Sequence, residues 1–467
     1  MDSEICKIMK TKSSEASQTA SFARTIKCNN ESKGKIVKQI IEKLEISTFC
    51  VDCTPPIGHP IGFTPADSAT DVRDPLFLRG FILDSGNERC LFASLDYCLL
   101  MNSAYDQLCE ALGEAIDTTP DRVVIHCIHQ HDTPAINLEL DPILGMATFP
   151  EDTWCEIVRQ CAKAAREAVA NREPVAAVGH SEYRLDGYAS NRRIMGPDGK
   201  VKGMRFSRCP DESLRNEPIG LIDPMLRTVA FKGENGDFLG SLNFYATHPQ
   251  VANSRHLYSA DAPGEAMRLV GKEYSKGLHA FCTGAGGNIT AGKYSSVDDL
   301  EGNLLAFGRQ IADGVTRNLK SIQWNPVDTM EWRTATFPFP AKPVSRPETE
   351  ALVRKASVAG EGTSLVAAAL LSSSEYPTNE EYTICLLKLG STCILFCPGE
   401  LFVEYQLFVQ SVIPDQFVAL AANCCNNFLY LPLAEQLRQG GYEVNSFCWC
   451  TEEFEPRFKK AIETLLT

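Results

Sequence analysis

The sequence predicts a mixed α/β fold, α+β-like in character, in which mixed β-sheets are flanked by helices. Two observations carry that prediction. Apolar hairpins, such as FLRGFILD and RCLFASLDY joined through Ser85-Gly86-Asn87, give antiparallel pairs with a buried face. Between short apolar runs such as RVVIHCI lie long amphipathic segments, most clearly 151–171, as expected of crossover helices that return the chain to a sheet. No internal repeat interrupts the pattern, and 467 residues suit one large domain or two intimately packed ones.

Taken in order, residues 1–46 are polar and rich in Ser, Lys and Glu, and predict a poorly ordered leader with one short helix over 35–44. The folded body is expected over 47–467. PPIGHPIGF repeats Pro-Ile-Gly around His59, a backbone-rich loop able to lie beside a ligand or to form a plain surface turn. The hairpin follows, then a helix over 102–116, the RVVIHCI strand, the helix over 151–171, and strands over 174–184, 225–233 and 238–247. A helix over 263–275, the strand LHAFCTG, a long helix over 298–319 and a helical stretch over 345–373 come next. YTICLLKLG and STCILFCPGE turn about Gly390, QFVALAANCC is the last strand, and a helix over 452–465 closes the chain.

Lys and Arg total 45 against 59 Asp and Glu, and the formal charge of −14 disfavours nucleic acid and anionic lipid as partners. No apolar run reaches the roughly 18 residues that span a bilayer, and the N-terminus has no secretory apolar core, so the expectation is a cytoplasmic protein without a membrane span. The 19 cysteines are scattered through apolar segments and odd in number, which predicts buried, reduced thiols. Cys50/Cys53, Cys424/Cys425 and Cys448/Cys450 lack the paired spacing of a structural zinc site.

Candidate chemistry gathers where apolar strands end. In HCIHQHDTPAIN, His129 and His131 are two apart, so in extended chain they share a side about 6.6 Å apart, while His126 has the opposite parity and reads as a core histidine. Alone, the pair is as readily buried hydrogen-bonding imidazole as metal ligand. LNFYATHPQ places His248 at a second strand end, and Asp261 opens the following helix, as its cap or as a partner for a histidine. FCTGAGGNITAGKY is glycine-rich but fails the P-loop pattern at Tyr294, leaving loop amides and the Thr290 hydroxyl as oxyanion donors. CPGE sets Glu400 after a third strand, and NNFLYLP follows a fourth. Arg192 and Arg193 offer a guanidinium for a carboxylate or form an exposed basic turn.

Taken together, IHQHDTP, FYATHPQVANSRHLYSADAPG, GAGGNIT, CPGE and NNFLYLPLAEQLRQGGYE make the chain resemble the neutral, non-lysosomal ceramidases over about residues 48–445, as a distant member. The resemblance implies their catalytic-domain fold without a C-terminal β-sandwich, and an amidase with one Zn²⁺ per chain. It implies His129, His248, Glu400 and Tyr430 as zinc ligands, with Asn427 at the other candidate tyrosine position. His131 matches the histidine that contacts the substrate carbonyl or departing amine. Where the family has serine preceded by aspartate, this chain has Thr290 and Asn288, which keeps a hydroxyl but not the serine.

The expected function is therefore zinc-dependent hydrolysis of a linear N-acyl amine or lipid amide by activated water. His131, Thr290 and Asp261 are the expected catalytic groups, and Gly286, Gly287, Asn288, Arg192, Arg193 and His59 the expected substrate contacts. An esterase or lactonase on the same centre, and a catalytically silent ligand-binding protein, are the alternatives.

Overall fold

The computed structural model describes residues 33–40, 43–62, 64–253, 255–355, 362–424 and 428–466. Two sheets form the frame. The larger has nine strands, of which eight run in the order Leu278–Thr283, Phe238–Tyr245, Met225–Gly233, Glu173–Arg184, Glu45–Asp52, Phe77–Asp84, Arg89–Leu95 and Val123–Cys127. The smaller has five, ordered Lys33–Ile40, Thr329–Pro338, Glu381–Leu389, Thr392–Phe396 and Phe417–Ala421. Most neighbours are antiparallel, as the hairpins require. Three pairs are parallel: Phe238–Tyr245 with Leu278–Thr283, Arg89–Leu95 with Val123–Cys127, and Thr392–Phe396 with Phe417–Ala421.

Period-two alternation explains how the layers stack. Phe81, Leu83, Phe92 and Val124 face one way and meet Trp332, Leu387, Ile394 and Phe396 of the smaller sheet in a sheet-on-sheet core. Their neighbours Leu78, Ile82, Leu91 and Ile125 face the other way, against Leu108, Leu112, Trp154 and Val158 of the helices Asn102–Ala115 and Glu151–Val169. Farther along that outer face, Asp261–Glu273 and Leu300–Ser321 cover Leu226, Ala230 and Phe281. Val403–Val412 and Phe454–Leu466 cover the outer face of the smaller sheet through Tyr405, Val409, Phe458 and Ile462. The result is helix, sheet, sheet, helix, the mixed α/β architecture expected.

The differences are local. The helix expected over 35–44 is the strand Lys33–Ile40, paired antiparallel with Thr329–Pro338. β-Branched Ile36, Val37 and Ile40 favour that extended backbone, and the sheet supplies its hydrogen bonds. Residues 1–32 of the expected leader lie outside the described residues. The stretch 345–373 is two helices, Arg346–Lys355 and Gly362–Glu375. Every described cysteine except Cys50 is buried, as the composition predicts. Among the described residues, no helix is long and apolar enough to cross a membrane.

Candidate metal centre

Each parallel strand pair delivers chemistry at its carboxyl end, where ligands of α/β sheets gather. Val123–Cys127 leads to His129, Phe238–Tyr245 to His248, Leu278–Thr283 to the glycine loop, and Thr392–Phe396 to Glu400. Backbone bonds splice these ends across the two sheets: Ala422 N–H donates to the Thr283 carbonyl at 2.8 Å, and Cys127 N–H to the Asn423 carbonyl at 3.1 Å. His126 seals the seam as the core histidine expected. Its Nδ1–H donates to the Ala422 carbonyl at 2.6 Å and its Nε2 accepts from Thr283 N–H at 3.0 Å.

His129 and His248 are prepared alike. His129 Nδ1–H donates to the Cys98 carbonyl at 2.9 Å, and His248 Nδ1–H to the Gly286 carbonyl at 2.7 Å. Those bonds engage each Nδ1 and turn each Nε2 toward the cluster, the usual preparation of an imidazole for metal. Both Nε2 atoms converge on Glu400 Oε2, at 3.4 Å from His129 and 3.2 Å from His248. Tyr430 Oη lies 3.1 Å from His248 Nε2. It arrives there because Glu400–Leu401 and Tyr430–Leu431 pair in parallel with Glu400 opposite Tyr430. Separations near 3.3 Å match the edge of a tetrahedron with bonds of about 2.0 Å, and two imidazoles, a carboxylate and a phenol are zinc donors. The residues present therefore fit the ion. His129, His248 and Glu400 also cluster with donor atoms within 4.8 Å of one another, as do Cys98, His129 and His131.

The charges respond to that crowding. Burial would raise the Glu400 pKa, yet His129 and His248 beside it hold it well below the carboxylate range. Burial would lower His129, but Cys98 and Glu400 hold it well above the usual imidazole value. His248 is pushed down to about 4 by burial and by the Arg192 charge. Burial pushes the Tyr430 phenol well up, with Arg192 opposing.

His131 stands beside this cluster, its ring centroid 5.0 Å from that of His129. The route differs from strand alternation: the strand ends at Cys127, and His129 reaches φ +75°. Among the described residues, His131 Nε2 is buried without a hydrogen-bond partner. So is Arg192 Nη2, on a guanidinium centred 5.1 Å from the Tyr430 ring. Arg192 and Arg193 form no exposed turn. Both are buried and share one carboxylate, Glu443, with Arg192 Nε 2.7 Å from Oε1 and Arg193 Nη1 3.0 Å from Oε2. Tyr442 and Phe206, their rings 5.2 Å apart and both partly exposed, continue outward from Tyr430.

Other expected residues are committed elsewhere. The Thr290 proton goes to the Arg205 carbonyl at 2.8 Å, and its oxygen accepts from Gly292 N–H at 3.3 Å. Gly287 N–H donates to the Leu401 carbonyl at 2.9 Å, so that amide is not an oxyanion donor. Asn288 caps the helix Val403–Val412, accepting from Val403 N–H at 2.9 Å and donating to Glu404 at 3.0 Å. Among the described residues, Asp261 bonds no histidine. Its carboxylate accepts from Val251, Ala252 and Ala262 N–H, holding the loop after His248 against the helix start, and burial pushes its pKa up to about 7. His59 bonds Thr153 at 2.9 Å, away from the cluster's contacts. Asn427 lies outside the described residues. Sequence reasoning missed Cys98, whose carbonyl orients His129, and Glu443, which stood in the quoted GGYE without a role.

No family model matches the chain. In three dimensions it is similar to the crystal structure of neutral ceramidase from Pseudomonas aeruginosa, with a TM-score of 0.66, 13% identity, and coverage of 91% of this chain and 74% of that one. A structure of ceramidase complexed with C2 gives a TM-score of 0.67, 14% identity and the same 91% and 74%. At such identity the likeness is one of architecture, and the expectation drawn from the motifs holds at that level: this chain has the fold of the neutral ceramidases.

Proposed function

We propose that the protein is a zinc-dependent hydrolase of linear amides, cleaving the carbon–nitrogen bond of an N-acyl amine of the lipid-amide class. One observation carries the reading. Two imidazole Nε2 atoms, the Glu400 carboxylate and the Tyr430 phenol converge at hydrogen-bond distance, and two buried nitrogens without hydrogen-bond partners among the described residues, His131 Nε2 and Arg192 Nη2, stand next to them. His129, His248, Glu400 and Tyr430 would hold one ion per chain. Bound there, zinc supplies Lewis acidity toward the amide carbonyl and toward water.

The chain's own groups account for the rest. Arg192, its charge locked in direction by Glu443, presents Nη2 to the acyl oxygen; one such donor is worth about 3 kcal/mol in the transition state. His131 stays neutral near pH 7, because burial and the neighbouring imidazoles hold its pKa well below the usual value. It can therefore shuttle a proton to the departing amine. Burial of the cluster between two sheets keeps bulk water from competing for these donors. Thr290, Asn288 and Gly287 hold the loop that carries the Gly286 carbonyl, and so act on His248 from a distance.

Hydrolysis of matched N-acyl amines and esters by the purified protein, with and without chelator, tests the proposal. Chelator-sensitive amide cleavage is expected, with loss of about 10²-fold or more in His131→Ala and Arg192→Ala. Cleavage of the ester alone would make the centre an esterase.

A further inference from the structure

A small cavity of about 10 Å³ is lined by His129, His248, Glu400 and Asn423 among others. That is room for one water-sized body. Asn423 is 6% exposed, and its Oδ1 has no hydrogen-bond partner among the described residues. A buried acceptor left without a donor is uncommon in a native fold and calls for a ligand. The backbone is unusual at the same residue, with φ +53°, a left-handed conformation rare outside glycine and found at functional sites.

The surroundings over-determine that conformation. Asn423 N–H donates to the Gly399 carbonyl at 3.0 Å, and the Asn423 carbonyl accepts from Cys127 N–H at 3.1 Å. Gly399 immediately precedes Glu400, and Cys127 lies two residues before His129. One residue is thus pinned between the segments that deliver two candidate metal donors, and it lines the cavity they share.

We propose that Asn423 Oδ1 is a further oxygen donor to the cation centre, an inference that rests on the metal reading of His129, His248 and Glu400. A neutral amide oxygen suits this role. It adds a hard donor without a charge, beside a carboxylate that already supplies one.

The test uses the full-length protein and two substitutions that tolerate positive φ. Asn423→Gly removes the oxygen and keeps the backbone; Asn423→Asp keeps the oxygen and adds a charge. Zn²⁺ and Co²⁺ dissociation constants are measured by chelator competition, together with the visible spectrum of the cobalt form. Asn423→Gly is expected to bind about tenfold more weakly or worse with an altered cobalt band, and Asn423→Asp more tightly than wild type. A folded Asn423→Gly protein with wild-type constants and spectrum overturns the inference, leaving Asn423 the holder of a buried water. If Asn423→Gly does not fold, an Asp variant with an unchanged constant overturns it instead. Wild type that binds neither ion brings down the metal reading itself.

Discussion

At His129 the backbone turns left-handed one residue after Ile128, and the imidazole meets Glu400 on one side and the Cys98 carbonyl on the other. On the proposed metal reading, this geometry would set the pH dependence of metal uptake. The folded-state pKa of His129 is raised, so its proton adds stability to the metal-free protein below the unfolded value of about 6.5. That contribution is lost as pH rises through the raised value. Metal needs the same Nε2 bare and must displace the proton. The apparent zinc dissociation constant is therefore expected to fall as pH rises from about 6.5 toward the raised His129 value, and more steeply if the Tyr430 proton is displaced too. A constant unchanged over that range would contradict the ion pair. Thr290 acts at one remove: Thr290→Val should cost about 1–3 kcal/mol in urea unfolding by orphaning the Arg205 carbonyl. That His129, His248, Glu400 and Tyr430 are candidate metal ligands was legible because each follows an apolar strand in a nameable motif. The commitments of Thr290, Asn288 and Asp261 were not, since their partners lie 85, 115 and up to 10 residues away.

Among the elements, the glycine loop works by close approach. A Cβ at Gly286 would sit 2.7 Å from the Thr247 backbone, and one at Gly287 2.5 Å from the Glu400 carbonyl. Gly286→Ala should therefore shift the carbonyl that orients His248 and weaken zinc binding about tenfold or more, measured by chelator competition. Composition alone suggests exposed amides at these glycines; the close approach shows that they let the strand ends meet. Strands with plain alternation or a hairpin turn were readable, among them Phe77–Asp84, Arg89–Leu95 and Glu381–Leu389. Thr329–Pro338 was not, because Glu331 and Arg333 break its apolar pattern and satisfy each other by an ion pair within the fold. Lys33–Ile40 was obscured by its lysines and gains its structure from pairing with that same strand.

Over the whole molecule, two sheets packed face to face bring three parallel strand pairs to one locus, and no short segment could assemble the site alone. His129 and Glu400 are 271 positions apart in chain order yet share one hydrogen-bond distance. Architecture was legible from local patterns, but the depth of the centre follows from sheet-on-sheet packing, which single-strand alternation cannot reveal. The central claim is that this locus holds a metal ion through His129, His248, Glu400 and Tyr430. Elemental analysis of the purified protein beside His248→Ala measures it most directly. About one zinc per chain in the wild type and a large loss in the variant is the predicted result. A wild type without stoichiometric zinc, even after incubation with the ion, would contradict the account.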